Sequence, residues 1–322
     1  MPRVAVQIVT YNSASVLPMA LQSLRDQTFS DFSTLIIDNG SADGSAQIAE
    51  AEPLRCVRNA HNVGYAAAHN QALALTDSTY VLTLNPDVRL DPGFLAAMVE
   101  TLDVYPEAGS GAGALRRVDD LADSQTERTA RIDGAGLFMR RNRRQGLLYE
   151  GAAPDVLPTE ITPIFGVDGA AAFYRRTMLL DVSIKDEVFD LDFFMHKEDV
   201  DLSWRARLRG WECLFVPGAK GSHVRGFRPG IRAGVRSEIR RMAARNRYLL
   251  MLKNEIGAHF WFDLPWIGAY ELGILGYILL RERSSLQAYV DVWRLRRRML
   301  DKRRLIQSGR RVSWPEMRRW FR

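Results

Sequence analysis

The chain opens on RVAVQIVTYN, a short β-rich apolar run that ends in polar residues. In the next segment, SVLPMALQSLRDQ, apolar side chains stand at Val16, Leu17, Ala20, Leu21 and Leu24, which is helical spacing. STLIIDNGSADGS is a second apolar run closing in a polar, glycine-rich loop, SAQIAEAE reads as a helix, and LRCVRN as a third strand. After HNVGY comes the alanine-rich helix AAAHNQALALT, then the strand YVLTLNPD, then a helix from about Gly93 to Tyr105. Strands alternating with helices over connections too long for hairpins predict a mainly parallel sheet covered on both faces. In such sheets ligands bind beyond the carboxyl ends of the strands, where Thr10, Asp38, Asn62 and Asp87 all fall.

The pattern weakens between Ala108 and Pro163, where GSGAGAL, a basic RRNRR and scattered prolines predict irregular hairpins. IFGVDGAAAFYRRTML restores a strand or turn entering a short helix. In VFDLDFFMHKEDVDLSWRARLRGW, Val200, Trp204, Leu208 and Trp211 form a helical stripe with Gly210 as its stop. Glu198, Asp199 and Asp201 then lie in the first turn. Beyond Gly226 the composition shifts: 235–256 reads as a basic helix, and Phe260 to Leu280 is the most apolar window in the chain. Asp263, Pro265 and Glu271 interrupt that window, and a spanning helix needs about 20 clean apolar residues. With Trp261, Trp266, Tyr270 and Tyr277 in it and a basic flank from Arg294 to Arg304, it predicts an interfacial helix pair. The alternative is a helical hairpin buried in a homo-oligomer. Two units are expected: 1–228, carrying the strand tips, and 229–322, a basic, partly apolar helical extension.

Composition sharpens that division. The 322 residues are 47% apolar and 25% charged, as in ordinary globular chains, with a net charge of +6. Residues 1–224 hold 21 Lys/Arg against 30 Asp/Glu, whereas 225–322 hold 23 against 8. The C-terminal part is therefore suited to an anionic partner. Its aromatic residues sit in apolar runs and do not interleave with arginines, which favours a membrane surface over nucleic acid. Cys56 and Cys213 fit no metal-ligand spacing, and no charged-then-apolar leader precedes the first strand. A cytoplasmic protein, or one peripheral at the inner face of the membrane, is the expectation.

A nicotinamide site would need G-x-G-x-x-G between the first strand and helix, but that turn reads TYNSASVL. No phosphate-loop motif is present either. What remains is carboxylates. Asp38, at a strand end, can accept the N–H of a pyrimidine. Asp87 is placed for a divalent cation, which takes oxygen ligands and leaves room for substrate phosphates. Asp199 opens a helix and can act as a base. Each also has a local explanation, as an Asx turn, a turn former beside proline and a helix N-terminal acid, respectively. Their joint placement points to one site.

VTYNS, IIDNGSADGS, NVGYAAAHNQAL, LNPDV, GAAAFYRRTML and EDVDLSWRARLRGW, in that order over roughly residues 3–225, resemble the blocks of family 2 glycosyltransferases. LNPD with EDVDL resembles the bacterial rhamnosyltransferase-like branch. The resemblance implies a GT-A fold and an inverting, Mg²⁺- or Mn²⁺-assisted enzyme that uses a nucleoside-diphosphate sugar, dTDP- or UDP-linked. L-Rhamnose is the implied sugar and a glycan or polyprenyl-linked glycan the acceptor. It also implies roles: Thr10, Tyr11, Asn12 and Asp38 at the nucleoside, Asn62 and Gly64 near the diphosphate, and Asn85 and Asp87 at the D-x-D position. Asp87 and His223 would hold the metal, Gly169 and Ala170 would line the donor sugar, and Asp199 would be the general base with Glu198 beside it. Two positions depart from the pattern: His69 stands where relatives often carry arginine, and Asn85 replaces the first D-x-D acid. A non-catalytic nucleotide-sugar or nucleic-acid binder retaining the fold is the competing expectation.

Overall fold

The computed structural model describes residues 1–121, 131–224 and 236–322; the expected boundary between 228 and 229 lies outside them. The first apolar run becomes β1 (Val4–Thr10), every residue of which is buried. Burial on both faces follows from its place mid-sheet, between β2 (Phe32–Asp38) and β4 (Tyr80–Leu84), both parallel to it. β3 (Arg55–Arg58) extends the sheet beyond β2. The crossovers are helices α1 (Leu17–Arg25), α2 (Ser45–Ala51) and α3 (Tyr65–Leu75), with α4 (Phe94–Val104) leading out of this half. β5 (Val88–Leu90) is a short strand just past the β4 tip.

The glycine-rich run is not an irregular hairpin. It forms β6 (Ala108–Arg117), a ten-residue strand deep in the sheet. The expectation failed because glycine has low strand propensity, yet here it answers close approach of neighbouring groups. A Cβ on Gly113 would lie 2.4 Å from the Ala219 carbonyl oxygen, and one on Gly109 would lie 2.5 Å from Met178 Cγ. Three small strands, β7 (Ile132–Gly134) on β6 and β8 (Leu137–Met139) paired with β9 (Gln145–Leu147) in a hairpin, occupy the middle segment. β10 (Thr162–Pro163) lies at one edge. β11 (Ala171–Arg175) inserts antiparallel between β4 and β6 and runs into helix α5 (Arg176–Asp181). The helix α6 (Glu198–Leu208) precedes β12 (Glu212–His223), which is parallel to β6 and antiparallel to β5. The main sheet thus runs β10-β12-β6-β11-β4-β1-β2-β3.

The apolar stripe of α6 stops at Leu208. Gly210 takes a φ of +89°, and Trp211 turns to the opposite core, its indole N–H donating to Asp181. Val200, Trp204 and Leu208 instead share a core with the C-terminal helices α7 (Ser237–Asn254), α9 (Gln287–Ser308) and α10 (Trp314–Arg318), while α8 (Gly257–Arg281) links α7 to α9. Polar contacts reinforce this attachment, because Asp201 of α6 accepts from Lys253 at 2.8 Å and Asn254 at 2.7 Å. α8 continues through Pro265 and leaves Trp261, Leu272 and Leu280 largely exposed. Among the described residues no helix is long and apolar enough to cross a membrane.

Candidate active site

Thr10 and Asp38 stand opposite one another at the carboxyl ends of β1 and β2. Both are buried, and Thr10 Oγ1 and Asp38 Oδ1 have no hydrogen-bond partner. Buried polar atoms are normally satisfied, so these two are poised for a ligand. Asp38 Oδ2 accepts from the Ser41 N–H, as in a turn, leaving the other oxygen bare. Tyr11 is half exposed beside them. Asn12 takes a positive φ of 53° while its Oδ1 accepts from the Ala42 N–H, which ties the β1 loop to the β2 loop.

Asn39, which sequence reasoning passed over, extends this crevice. Its Nδ2 donates to Asn62 Oδ1 at 2.9 Å, and its Oδ1 accepts from Asn59 Nδ2 and the Val63 N–H. Asn62 in turn accepts from the Gly64 N–H. At Gly64 only glycine fits: φ is +93°, and a Cβ would lie 2.5 Å from the Phe194 ring.

Past β4, Tyr65 connects two parts of the site. Its hydroxyl lies 3.0 Å from Asn85 Oδ1 and 3.1 Å from the Gly169 carbonyl oxygen, while the Asn85 N–H donates to the Ala170 carbonyl. Gly169 is held from its other side by Asp199, whose Oδ2 accepts the Gly169 N–H at 3.0 Å. One chain of contacts therefore runs from Asn85 through Tyr65 and Gly169 to Asp199. His69 lies beneath it, fully buried, edge-on to the Tyr65 ring at 4.3 Å and 3.3 Å from Gln7 Oε1. Burial pushes its pKa down to about 3, so it is a neutral packing residue and does not stand in for a cationic arginine.

Asp87 and His223 meet because β12 pairs with β5, setting His223 opposite Val88. Nε2 of His223 is 3.4 Å from Asp87 Oδ1, an oxygen that is buried without a hydrogen bond. Nδ1 lies 2.9 Å from Asp133, which also accepts from Arg117. Asp133 falls in the segment whose sequence pattern was weakest. Burial opposes charge on His223, but Asp133 and Asp87 outweigh it and raise its pKa to about 9. Among the described residues no group of three or more His, Cys, Asp or Glu side chains is arranged to hold a metal. A two-residue seat still suits Mg²⁺ or Mn²⁺, which complete their shells with waters and substrate phosphates. Asp87 Oδ1 would be the oxygen donor such an ion needs, binding would displace the Nε2 proton of His223, and Asp133 on the far nitrogen is the usual orientation of a metal-bound imidazole.

Glu198 and Asp199 open α6 on the other flank. Asp199 Oδ1 accepts the Val200 N–H at 2.7 Å, a helix N-terminal contact. Burial nevertheless raises its pKa, the backbone N–H groups of Gly169 and Val200 opposing. Glu198 is buried, its Oε2 has no partner, and burial with repulsion from Asp199 raises its pKa to about 8. The two carboxyls thus differ in ionisation: Glu198 retains a proton at neutral pH, while Asp199, with two N–H groups on its oxygens, is the better anion.

Comparison with known proteins follows this geometry. The family model described as "Glycosyl transferase family 2" matches residues 5–180. An N-acetylglucosaminyl-diphospho-decaprenol L-rhamnosyltransferase of Mycobacterium tuberculosis is 28% identical over 305 residues, covering 88% of this chain and 94% of that protein. A poly-beta-1,6-N-acetyl-D-glucosamine synthase of Staphylococcus aureus is 25% identical over 217 residues, 65% of this chain and 47% of that one. Among solved structures, S. aureus TarS 1-349 in complex with UDP-GlcNAc matches with a TM-score of 0.56 at 18% identity, covering 95% and 91% of the two chains. The mannosyltransferase PcManGT of Pyrobaculum calidifontis with GDP-Man and Mn²⁺ matches at 0.54 and 15%, covering 96% and 86%. At these identities the structures speak for the fold, which is GT-A.

Proposed function

The chain belongs to glycosyl transferase family 2 and is a nucleotide-sugar-dependent glycosyltransferase; within that activity we propose the inverting transfer of L-rhamnose from a dTDP donor to a hydroxyl of a lipid-linked glycan. The observation that carries the mechanism is the link from Asn85 through Tyr65 and Gly169 to Asp199, which holds the metal-side loop and the base at a fixed separation. Thr10 and Asp38 receive the nucleoside, the bare Asp38 oxygen accepting a pyrimidine N–H. Asp87 and His223 would hold a Mg²⁺ or Mn²⁺, which supplies positive charge against the leaving diphosphate. Asn85 in place of an acid leaves that seat one charge weaker.

Asp199 accepts the proton of the acceptor hydroxyl as its oxygen bonds to the anomeric carbon. The bond from that carbon to the diphosphate breaks on the opposite face, and the nucleoside diphosphate leaves with the electron pair. Inversion follows from this single displacement. General-base catalysis of this kind contributes about 10²–10⁴ in rate. The proton kept on Glu198 leaves Asp199 as the ionised member of the pair, the arrangement in which adjacent carboxyls divide acid and base roles.

The rhamnosyl donor and lipid-linked acceptor take their support from the M. tuberculosis relative, an N-acetylglucosaminyl-diphospho-decaprenol L-rhamnosyltransferase that aligns with 88% of this chain. The C-terminal helices suit such an acceptor. α8 exposes Trp261, Leu272 and Leu280, and α9 carries Arg294, Arg298 and Arg304 with their side chains mostly in solvent. Basic side chains near an anionic leaflet contribute about 1 kcal/mol each. Thermal stability with Mn²⁺ across dTDP, UDP, GDP and CMP tests the donor. A Mn²⁺-dependent rise with dTDP is expected; a rise with GDP or CMP alone overturns the donor assignment.

A further inference from the structure

The segment that delivers the base is conformationally costly. Phe194, His196 and Lys197 have φ of 62°, 67° and 72°, the densest run of left-handed non-glycine residues in the described chain. Such backbone persists only where its surroundings over-determine it. The surroundings here come from 50 residues downstream. Asn246 of α7 is completely buried, and its Nδ2 lies within hydrogen-bond distance of the carbonyls of Phe193 (2.9 Å), Met195 (2.9 Å) and His196 (2.8 Å), one of its two hydrogens being shared between two of them. Its Oδ1 accepts from Arg245 Nε at 2.9 Å, so the amide can point only one way. Arg245 Nη2 adds bonds to the carbonyls of Asp192 and Phe193.

We propose that Asn246 is a positioning residue: from the C-terminal helices it locks the 193–197 backbone that sets Asp199 against Gly169 at the crevice. A single buried amide meeting three carbonyls of one strained turn is far more than a helix needs to pack. The lock also reaches the nucleotide side. The Phe194 ring stands over Gly64, and the Phe194 carbonyl accepts the Ala66 N–H at 3.1 Å. The C-terminal helices therefore complete the active site, and their attachment is more than a surface anchor. The inference rests on Asp199 being the base.

The test uses the full chain with Asn246→Ala and, as a milder change at a partly exposed position that should fold in any case, Arg245→Gln. Amide hydrogen exchange over 193–199 and steady-state transfer are read together. For Asn246→Ala, exchange there should speed up about tenfold or more, with sheet amides unchanged. Its kcat should fall by about tenfold or more, since small misplacements of catalytic groups are costly, and by clearly more than the Mn²⁺-dependent affinity for dTDP falls. Arg245→Gln should move both quantities in the same direction by about threefold. Unchanged exchange at 193–199, or wild-type kcat, in a folded variant overturns the proposal. An Asp199→Asn protein with full turnover would instead remove the base assignment, and the exchange measurement would still decide whether Asn246 holds the turn.

Discussion

Two pairs of side chains face the same crevice and are built by opposite means. Asp87 and His223 sit on adjacent strands, β4's outgoing loop and β12, and the sheet register alone brings them together. Glu198 and Asp199 sit at a helix start, behind a strained turn that α7 holds by hydrogen bonds. The first pair has an oxygen left bare beside a histidine, which is what a cation needs. The second has its charge disfavoured by burial, which raises the proton affinity of both carboxyls and leaves Asp199, with two N–H groups on its oxygens, the more readily ionised. The same residue type, aspartate, thus acquires two chemistries from two environments. Rigidity around Asp87 and His223 comes from strand pairing; around Asp199 it comes from distant packing.

The comparison breaks most readily at the metal side. Asp87→Ala should reduce the Mn²⁺-dependent part of dTDP affinity by at least about 10–100-fold, a typical loss even for partners one shell further out, as read by titration calorimetry. Equal affinity with and without Mn²⁺ in the wild type would remove the seat from the account. The sheet itself is next. Gly113→Ala puts a Cβ against the Ala219 carbonyl and the Phe94 ring, and should destabilise by about 1–3 kcal/mol in denaturant unfolding. A neutral result would mean that β6 and β12 can part without cost.

The smallest effect sharpens the base side. Glu198 has a folded pKa of about 8 against an ordinary 4.5. The fold therefore favours its protonated form, so its stability contribution is full below about pH 4.5 and is lost as pH rises to 8. Glu198→Gln, uncharged throughout, should match the wild-type Tm near pH 4.5 and exceed it by an amount that grows up to pH 8 and then levels, each kcal/mol raising Tm by about 2–4 °C. A gain that is the same at every pH would mean that burial of this carboxyl has no linkage to folding.

Much of the strand-tip crevice was legible in the sequence, because apolar runs closed by Thr10, Asp38 and Asp87 are local signals. Strand order beyond β4 was not. In β6 the glycines that permit Ala219 and Met178 to approach erase the apolar alternation that marks a strand. Asp133 lay in the same poorly patterned segment, and its partner is 90 residues away. The Trp211 end of the α6 stripe misled, since Gly210's left-handed φ redirects the chain after Leu208. Tyr65 and Asn246 reach their partners through tertiary packing, and nothing in NVGY or ARNRY announces a hydrogen bond 104 or 50 residues distant.

The central claim is that Asp199 accepts a proton and takes no part in holding the nucleotide. Asp199→Asn removes the charge and keeps one acceptor oxygen, which can take the N–H of Val200 or of Gly169 but not both. Measured on one preparation, transfer from the nucleotide sugar should fall by about 10²–10⁴ while Mn²⁺-dependent binding of the nucleoside diphosphate stays at the wild-type value. Transfer at the wild-type rate, or loss of binding together with transfer, would contradict the account.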